Sequence, residues 1–167
     1  MTPSPDPDVP QVDAISTKLS FREAIEADVP NIVRMLADDV LGKTREAYGD
    51  PIPQVYWDAF NAIDQDPNQH LLVACLDGEV MGTLQLSFLP NMSYQGGWRS
   101  LIETVRVDTS KRGSGIGKAF IQHAINLSKA KGCHMVQLTT NKQRDDAIRF
   151  YERLGFTASH EGMKLLI

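Results

Sequence analysis

The chain has 167 residues, close to one domain at about 150 residues per domain. Hydrophobic residues make up 42% and charged residues 23%, a globular balance that excludes wholesale disorder. Lys and Arg number 17 against 21 Asp and Glu, and the resulting net charge of −4 excludes a basic footprint for duplex nucleic acid or an anionic membrane. Two cysteines, Cys75 and Cys133, are too few for a disulfide framework or a four-ligand zinc site, and both read as buried free thiols. No apolar run approaches the roughly 18 residues of a membrane span. The start of the chain has neither a positive n-region nor an apolar h-region, so a cytoplasmic protein is expected.

Residues 1–17 read as a flexible arm, because Pro3, Pro5, Pro7 and Pro10 can neither continue a helix nor donate to a ladder. Leu19, Phe21 and Ile25 predict a short strand over 18–25. Asp28 then offers an N-cap, Pro30 lies in a first turn, and Val29, Val33, Leu36 and Val40 predict a helix ending near Gly42. Residues 43–53, with Gly49 and Asp50-Pro51, read as a loop. A second helix over 54–66 places Tyr56, Phe60 and Ile63 on one face.

The apolar run 71–76 predicts a strand, and Asp77-Gly78 fits a type I′ turn. Val80, Leu84, Leu86 and Phe88 alternate with Met81, Thr83, Gln85 and Ser87, completing an antiparallel hairpin. After a turn region over 90–97, a strand over 98–107 carries Leu101, Val105 and Val107 on one side. A helix over 115–131 has the stripe Ile116, Phe120, Ala124 and Leu127, with Gly132 at its C-terminal end. A strand over 134–140 and a helix over 145–154 follow, the latter with Asp145 and Asp146 at its positive end and Gly155 closing it. Residues 156–159 and 163–167 predict a terminal strand pair. The strand–helix–strand unit over 98–140 requires a crossover, so the sheet is expected to be mixed.

The most informative segment runs from Val105 to Lys118. Gly113, Gly115 and Gly117 lie between a strand and a helix, where a backbone without Cβ atoms can turn sharply and direct N–H groups outward. The helix dipole adds positive potential, so a phosphate or pyrophosphate is the natural occupant, with Arg112 and Lys118 supplying charge. A Walker A loop is excluded by Arg112 where glycine is required and Ala119 where Ser or Thr is required. A Rossmann fingerprint is excluded by Lys118 in place of its third glycine and by the lack of an acidic residue near Lys131-Gly132-Cys133. A tight turn holding no ligand is the bland alternative.

Arg112-Gly113-Ser114-Gly115-Ile116-Gly117 matches the pattern Gln/Arg-x-x-Gly-x-Gly/Ala directly after a Val-rich strand, and the stretch from Ala147 to Phe156 looks like a matching late helix and strand. On these two motifs, and on the order of elements from Leu19 to Ile167, the sequence resembles the GNAT superfamily of acyl-CoA-dependent N-acyltransferases. The resemblance implies an α/β (α+β) fold, with a mixed, mainly antiparallel central sheet of about seven strands flanked by about four helices. Residues 18–167 would then form a single N-acetyltransferase domain. It implies acetyl transfer from acetyl-CoA to a small-molecule or peptide amine by direct attack in a ternary complex, without metal, nucleic acid or membrane, and is compatible with a homodimer. A catalytically weak CoA-binding regulatory module on the same fold is the alternative.

By the same resemblance, the backbone of Val105, Arg106 and Val107 pairs with the pantetheine arm. Arg112, Gly113, Ser114, Gly115, Ile116, Gly117 and Lys118 wrap the pyrophosphate. Tyr151 corresponds to the tyrosine that protonates the departing thiolate. Many members carry Asn seven positions before that tyrosine. This chain has Arg144 there, and Asn141 at the end of the preceding strand is the candidate replacement.

A lysine-like amine has a pKa near 10.4, so about one in two thousand is neutral at pH 7, and a carboxylate acting directly or through water can take the proton. Glu103 is the candidate. Alternation predicts that it shares a face with Leu101, Val105 and Val107, where a charge would need an explanation. Glutamates at the corresponding position often lie near the acceptor in the superfamily. Acceptor binding without proton transfer, or a carboxylate turned to solvent by a local bulge, are the alternatives. Tyr151 shares a stripe with Ala147 and Leu154, as a packing aromatic would also do. Backbone N–H groups near Val107 could supply the oxyanion contact. His70, His123, His134 and His160 lack metal-ligand spacing. The acceptor is expected to enter beside residues 42–53, near Tyr48, Tyr56 and Trp57, and beside His160.

Overall fold

Two hydrophobic clusters, one on each side of a twisted sheet, organise the chain. The computed structural model describes residues 19–38 and 42–167. The predicted arm over 1–17 and Val40 of the predicted first helix lie outside the described residues. The elements are β1 (Leu19–Glu23), α1 (Val29–Ala37), α2 (Gln54–Asp64), β2 (Gln69–Leu76), β3 (Glu79–Pro90), β4 (Trp98–Val107), α3 (Ile116–Ala130), β5 (Cys133–Leu138) and α4 (Asp145–Arg153). The strands lie in the order β1-β2-β3-β4-β5, antiparallel except for the parallel β4–β5 pair. The predicted crossover through α3 is therefore present.

The run in β2 is continuously apolar because both of its faces are covered. Leu72 and Ala74 join the cluster under α3, whereas Val73 and Cys75 join the cluster under α1 and α2. Leu84, Leu86, Phe88 and Ile102 complete the α3 side, with Phe120 and Ile121 of α3 fully buried against them. Asp77 at φ +53° and Gly78 at φ +87° make the predicted tight turn between β2 and β3. Met81 is extruded between the pairs Ala74–Gly82 and Cys75–Val80, so Val80 packs under α1 and α2 and not with Leu84, Leu86 and Phe88 as alternation predicted.

The described residues form five strands, not about seven. Residues 156–167 are in no strand, and Met163, Leu165, Leu166 and Ile167 are exposed. Leu165-Leu166-Ile167 has no alternation to choose a face, so nothing in it specifies a register on the β5 edge. Asp28 is also not the expected side-chain cap. Its carboxylate accepts the Arg22 fork at 2.6 and 3.0 Å and the Ile25 N–H at 2.8 Å, clipping β1 to the entry of α1. Burial pushes that carboxyl up, but these bonds outweigh it and hold it below the ordinary value. Across the crossover, the buried Ser100 hydroxyl donates to Ser128 Oγ at 2.7 Å, and Ser128 in turn donates to the Ala124 carbonyl at 2.8 Å.

Candidate active site

β5 pairs with β4 only from Trp98 to Ile102, while β4 continues to Val107 on the arm of β3. Residues 103–107 of β4 therefore have no strand neighbour on the β5 side among the described residues. An extended ligand backbone could lie along that edge.

The register with β3 skips between Thr83 and Gln85, and Thr104 there has φ +51°. This bulge reverses the pleat. Leu101 and Glu103 lie opposite Ser87 and Gln85, on the α1–α2 side, whereas Val105 and Val107 pack into the cluster under α3. The expectation that Glu103 shares a face with Val105 and Val107 is thus corrected. Glu103 is exposed, so burial is not what calls for an explanation of its charge. Positive φ at a β-branched residue is sparsely populated, and no sequence signal announced it.

Past Val107 the chain enters the glycine turn through Asp108. This carboxylate accepts the Ser110 hydroxyl at 2.7 Å, the Ser110 N–H at 3.0 Å and the Arg34 guanidinium at 2.6 Å. These bonds, Ser110 first, pull its carboxyl down to about 2. Asp108-x-Ser110 carries the Asx-turn signal, whereas the Arg34 partner, 74 residues away, had none. Gly113 and Gly115 have φ +79° and +86°, and a Cβ on either would meet nothing within 4 Å. Glycine is needed there for conformation, and the space above the turn is open. Ser114 donates its hydroxyl to the Lys111 carbonyl at 2.6 Å and so braces the turn from within. Ile116 is buried, while Arg112 and Lys118 are exposed, and the first N–H groups of α3 have no intrahelical partner. A Cβ on Gly117 would touch Val107 at 3.6 Å and Phe150 at 3.7 Å, which places α4 beside the start of α3 and the end of β4.

On α4, Tyr151 packs edge-on against Phe150 and Phe156 with ring centroids 5.1 and 5.8 Å away. Burial pushes its phenol above the ordinary value, against the opposing pull of Arg144 and Arg106. The structure therefore brings Tyr151, Arg106 and Arg144 into one electrostatic neighbourhood near the glycine turn. Asn141 accepts the Gln143 N–H on its side-chain oxygen at 2.9 Å, so that end of the amide is engaged in the turn before α4. Glu103 stands on the other side of the bulge.

A concavity of about 340 Å³ lies against α1, lined by Asn31, Arg34, Met81 and Asp108. Among the described residues no group of three or more His, Cys, Asp or Glu could hold a metal ion, and no helix is long and apolar enough to cross a membrane. Tyr48 is exposed, Tyr56 bonds Glu46 and the Ala47 N–H, and Trp57 donates to the Ile52 carbonyl, tying residues 46–52 to α2.

The sequence profile of the acetyltransferase (GNAT) family matches residues 35–156. The chain belongs to the GNAT acetyltransferase family. Among its GNAT relatives is a glucosamine 6-phosphate N-acetyltransferase of Trypanosoma brucei brucei, 38% identical over 88 residues, or 53% of this chain and 58% of that protein. Another is an aminoalkylphosphonate N-acetyltransferase of Salmonella typhimurium, 34% identical over 107 residues, or 64% of this chain and 69% of that one. The matched region thus spans under two thirds of the first relative's length. Among solved structures, a transcriptional regulator from Bacillus halodurans C-125 is 52% identical, with a TM-score of 0.87 over 89% of this chain and 99% of that chain.

Proposed function

We propose that the protein transfers an acetyl group from acetyl-CoA to the primary amine of a small acceptor, by direct attack in a ternary complex. The observation that carries this reading is one continuous feature: the open edge of β4 over 103–107 runs directly into a helix-start turn whose two positive-φ glycines leave their outer side open. The residues fit the cosubstrate. The open edge at Val105, Arg106 and Val107 suits a pantetheine arm, with its amides, in the manner of an added strand. The turn from Arg112 to Lys118, at the positive end of α3, suits a pyrophosphate. Arg144 and Asn141 stand on the α4 side of that groove.

In this reading Glu103, exposed and solvated, takes the ammonium proton directly or through water. Backbone N–H groups on the open edge stabilise the carbonyl oxygen as charge develops there. Tyr151, protonated at neutral pH, donates to the departing sulfur. The two relatives described above are named for a phosphorylated and a phosphonylated small amine, which favours a small molecule over a peptide as acceptor.

Calorimetry with CoA, paired with thiol release from acetyl-CoA across a panel of amines, tests the assignment. Gly115→Asp should abolish measurable CoA binding, because the added carboxylate occupies and repels the phosphate position. Unchanged affinity in a folded Gly115→Asp protein would remove the turn from the site. CoA binding without turnover on any amine would instead favour the regulatory module.

A further inference from the structure

The α1–α2 side of the sheet is covered unevenly. Thr83 and Val73 are buried beneath the helices, but towards β4 the face turns polar. Gln69 accepts from Gln85 at 3.0 Å and from Ser87 at 2.7 Å, so those groups satisfy one another. Arg99 is different. It stands on β4 opposite Leu89 of β3 and Met135 of β5, on the same face as Leu101 and Glu103. Its side chain is half-buried: Nε is enclosed without a partner, the two terminal nitrogens are not enclosed, and no carboxylate among the described residues pairs with them. The terminal pair of N–H groups, left without a protein acceptor, matches a carboxylate or phosphoryl group bidentately.

The pleat places Arg99, Leu101 and Glu103 in a row. At about 3.3 Å per residue their backbone ends lie about 13 Å apart, a span that side chains as long as Arg and Glu can close from both ends. A cation, an apolar saddle and an anion in line form a surface complementary to a short molecule with an ammonium at one end and an anionic oxygen group at the other. We infer that the acceptor is a small amine bearing a carboxylate, phosphonate or phosphate, and that Arg99 binds this anion while Glu103 receives the ammonium. This rests on the proposed role of Glu103 in N-acetyl transfer. It adds a specificity residue that neither the glycine turn nor the α4 groove contains.

Acceptors matched in their amine-bearing part test it: 2-aminoethylphosphonate and β-alanine against n-propylamine, which share an aminoethyl unit, and glucosamine 6-phosphate against glucosamine. Initial rates and calorimetry on the CoA-saturated protein are both read, so that affinity is measured even where turnover is slow. The wild type should prefer at least one anionic member over its neutral counterpart by tenfold or more in kcat/KM or affinity. Arg99→Gln should lower that preference at least tenfold, mainly through KM, and Arg99→Lys should restore part of it. CoA affinity should be unchanged in both variants, which also reports that they are folded. Equal use of charged and neutral members, binding of neither, or a loss in Arg99→Gln that strikes both alike would overturn the inference. Failure of the wild type to bind CoA would instead remove the catalytic assignment, and this inference with it.

Discussion

Burial against Phe150 and Phe156 keeps the Tyr151 phenol protonated well past neutrality, with Arg144 and Arg106 opposing that shift only in part. Tyr151→Phe keeps the ring and its packing but removes the proton. We expect kcat to fall about 10²- to 10⁴-fold, with CoA affinity by calorimetry nearly unchanged. The raised value also places any loss of the donor above the ordinary tyrosine range. A wild-type kcat that declined below about pH 10 would therefore point to another acid. At Glu103 the test is the pH–rate profile under limiting amine. Glu103→Gln should depress kcat/KM near neutrality and recover at alkaline pH, where the amine is already neutral. A profile parallel to wild type would reduce Glu103 to acceptor binding.

The glycine turn works as an element because both of its ends are held. Asp108 anchors the entrance through Ser110 and Arg34, and α3 anchors the exit. With a folded value of about 2 against an ordinary 3.8, the stability that Asp108 contributes is fully present above pH 3.8 and is lost as pH falls from there through about 2. Asp108→Asn should therefore be less stable than wild type at pH 6, and the difference in thermal midpoint should narrow as pH falls towards 2. A constant gap would mean that the carboxylate charge is not what holds the clip. Gly115 shows the other constraint on this element. Its φ of +86° makes Gly115→Ala cost about 1–2 kcal/mol in urea unfolding even though the added methyl meets nothing. The glycine pattern and the late helix were legible in the sequence because each rests on preferences expressed within a few residues of chain, and the crossover followed from the strand–helix–strand order over 98–140.

At the scale of the whole molecule, the α3 cluster carries the fold. Phe120 is fully buried and stacks on Phe21 of β1 at 5.3 Å, joining the crossover helix to the edge of the sheet far from β5. Phe120→Ala should cost about 3–5 kcal/mol in a single unfolding transition, whereas a smaller loss would show that the cluster closes around the gap. What the sequence determined by itself was local: Asp77-Gly78 as a tight turn, the Ile116–Phe120–Ala124 stripe as a buried helix face, and glycines where positive φ is required. Those features follow from backbone sterics and from the periods of helix and strand, both contained in a short window. The face of Glu103, the extruded Met81, the unpaired 163–167 run, the Arg34–Asp108 contact and the point where β5 leaves β4 were decided only in three dimensions. One extra residue in a strand reverses every side chain beyond it, and whether that residue is extruded depends on the register of a partner strand elsewhere in the chain. Alternation alone rightly aligned Glu103 with Leu101 and Arg99, but only the β3–β4 register turned Val105 and Val107 to the opposite face.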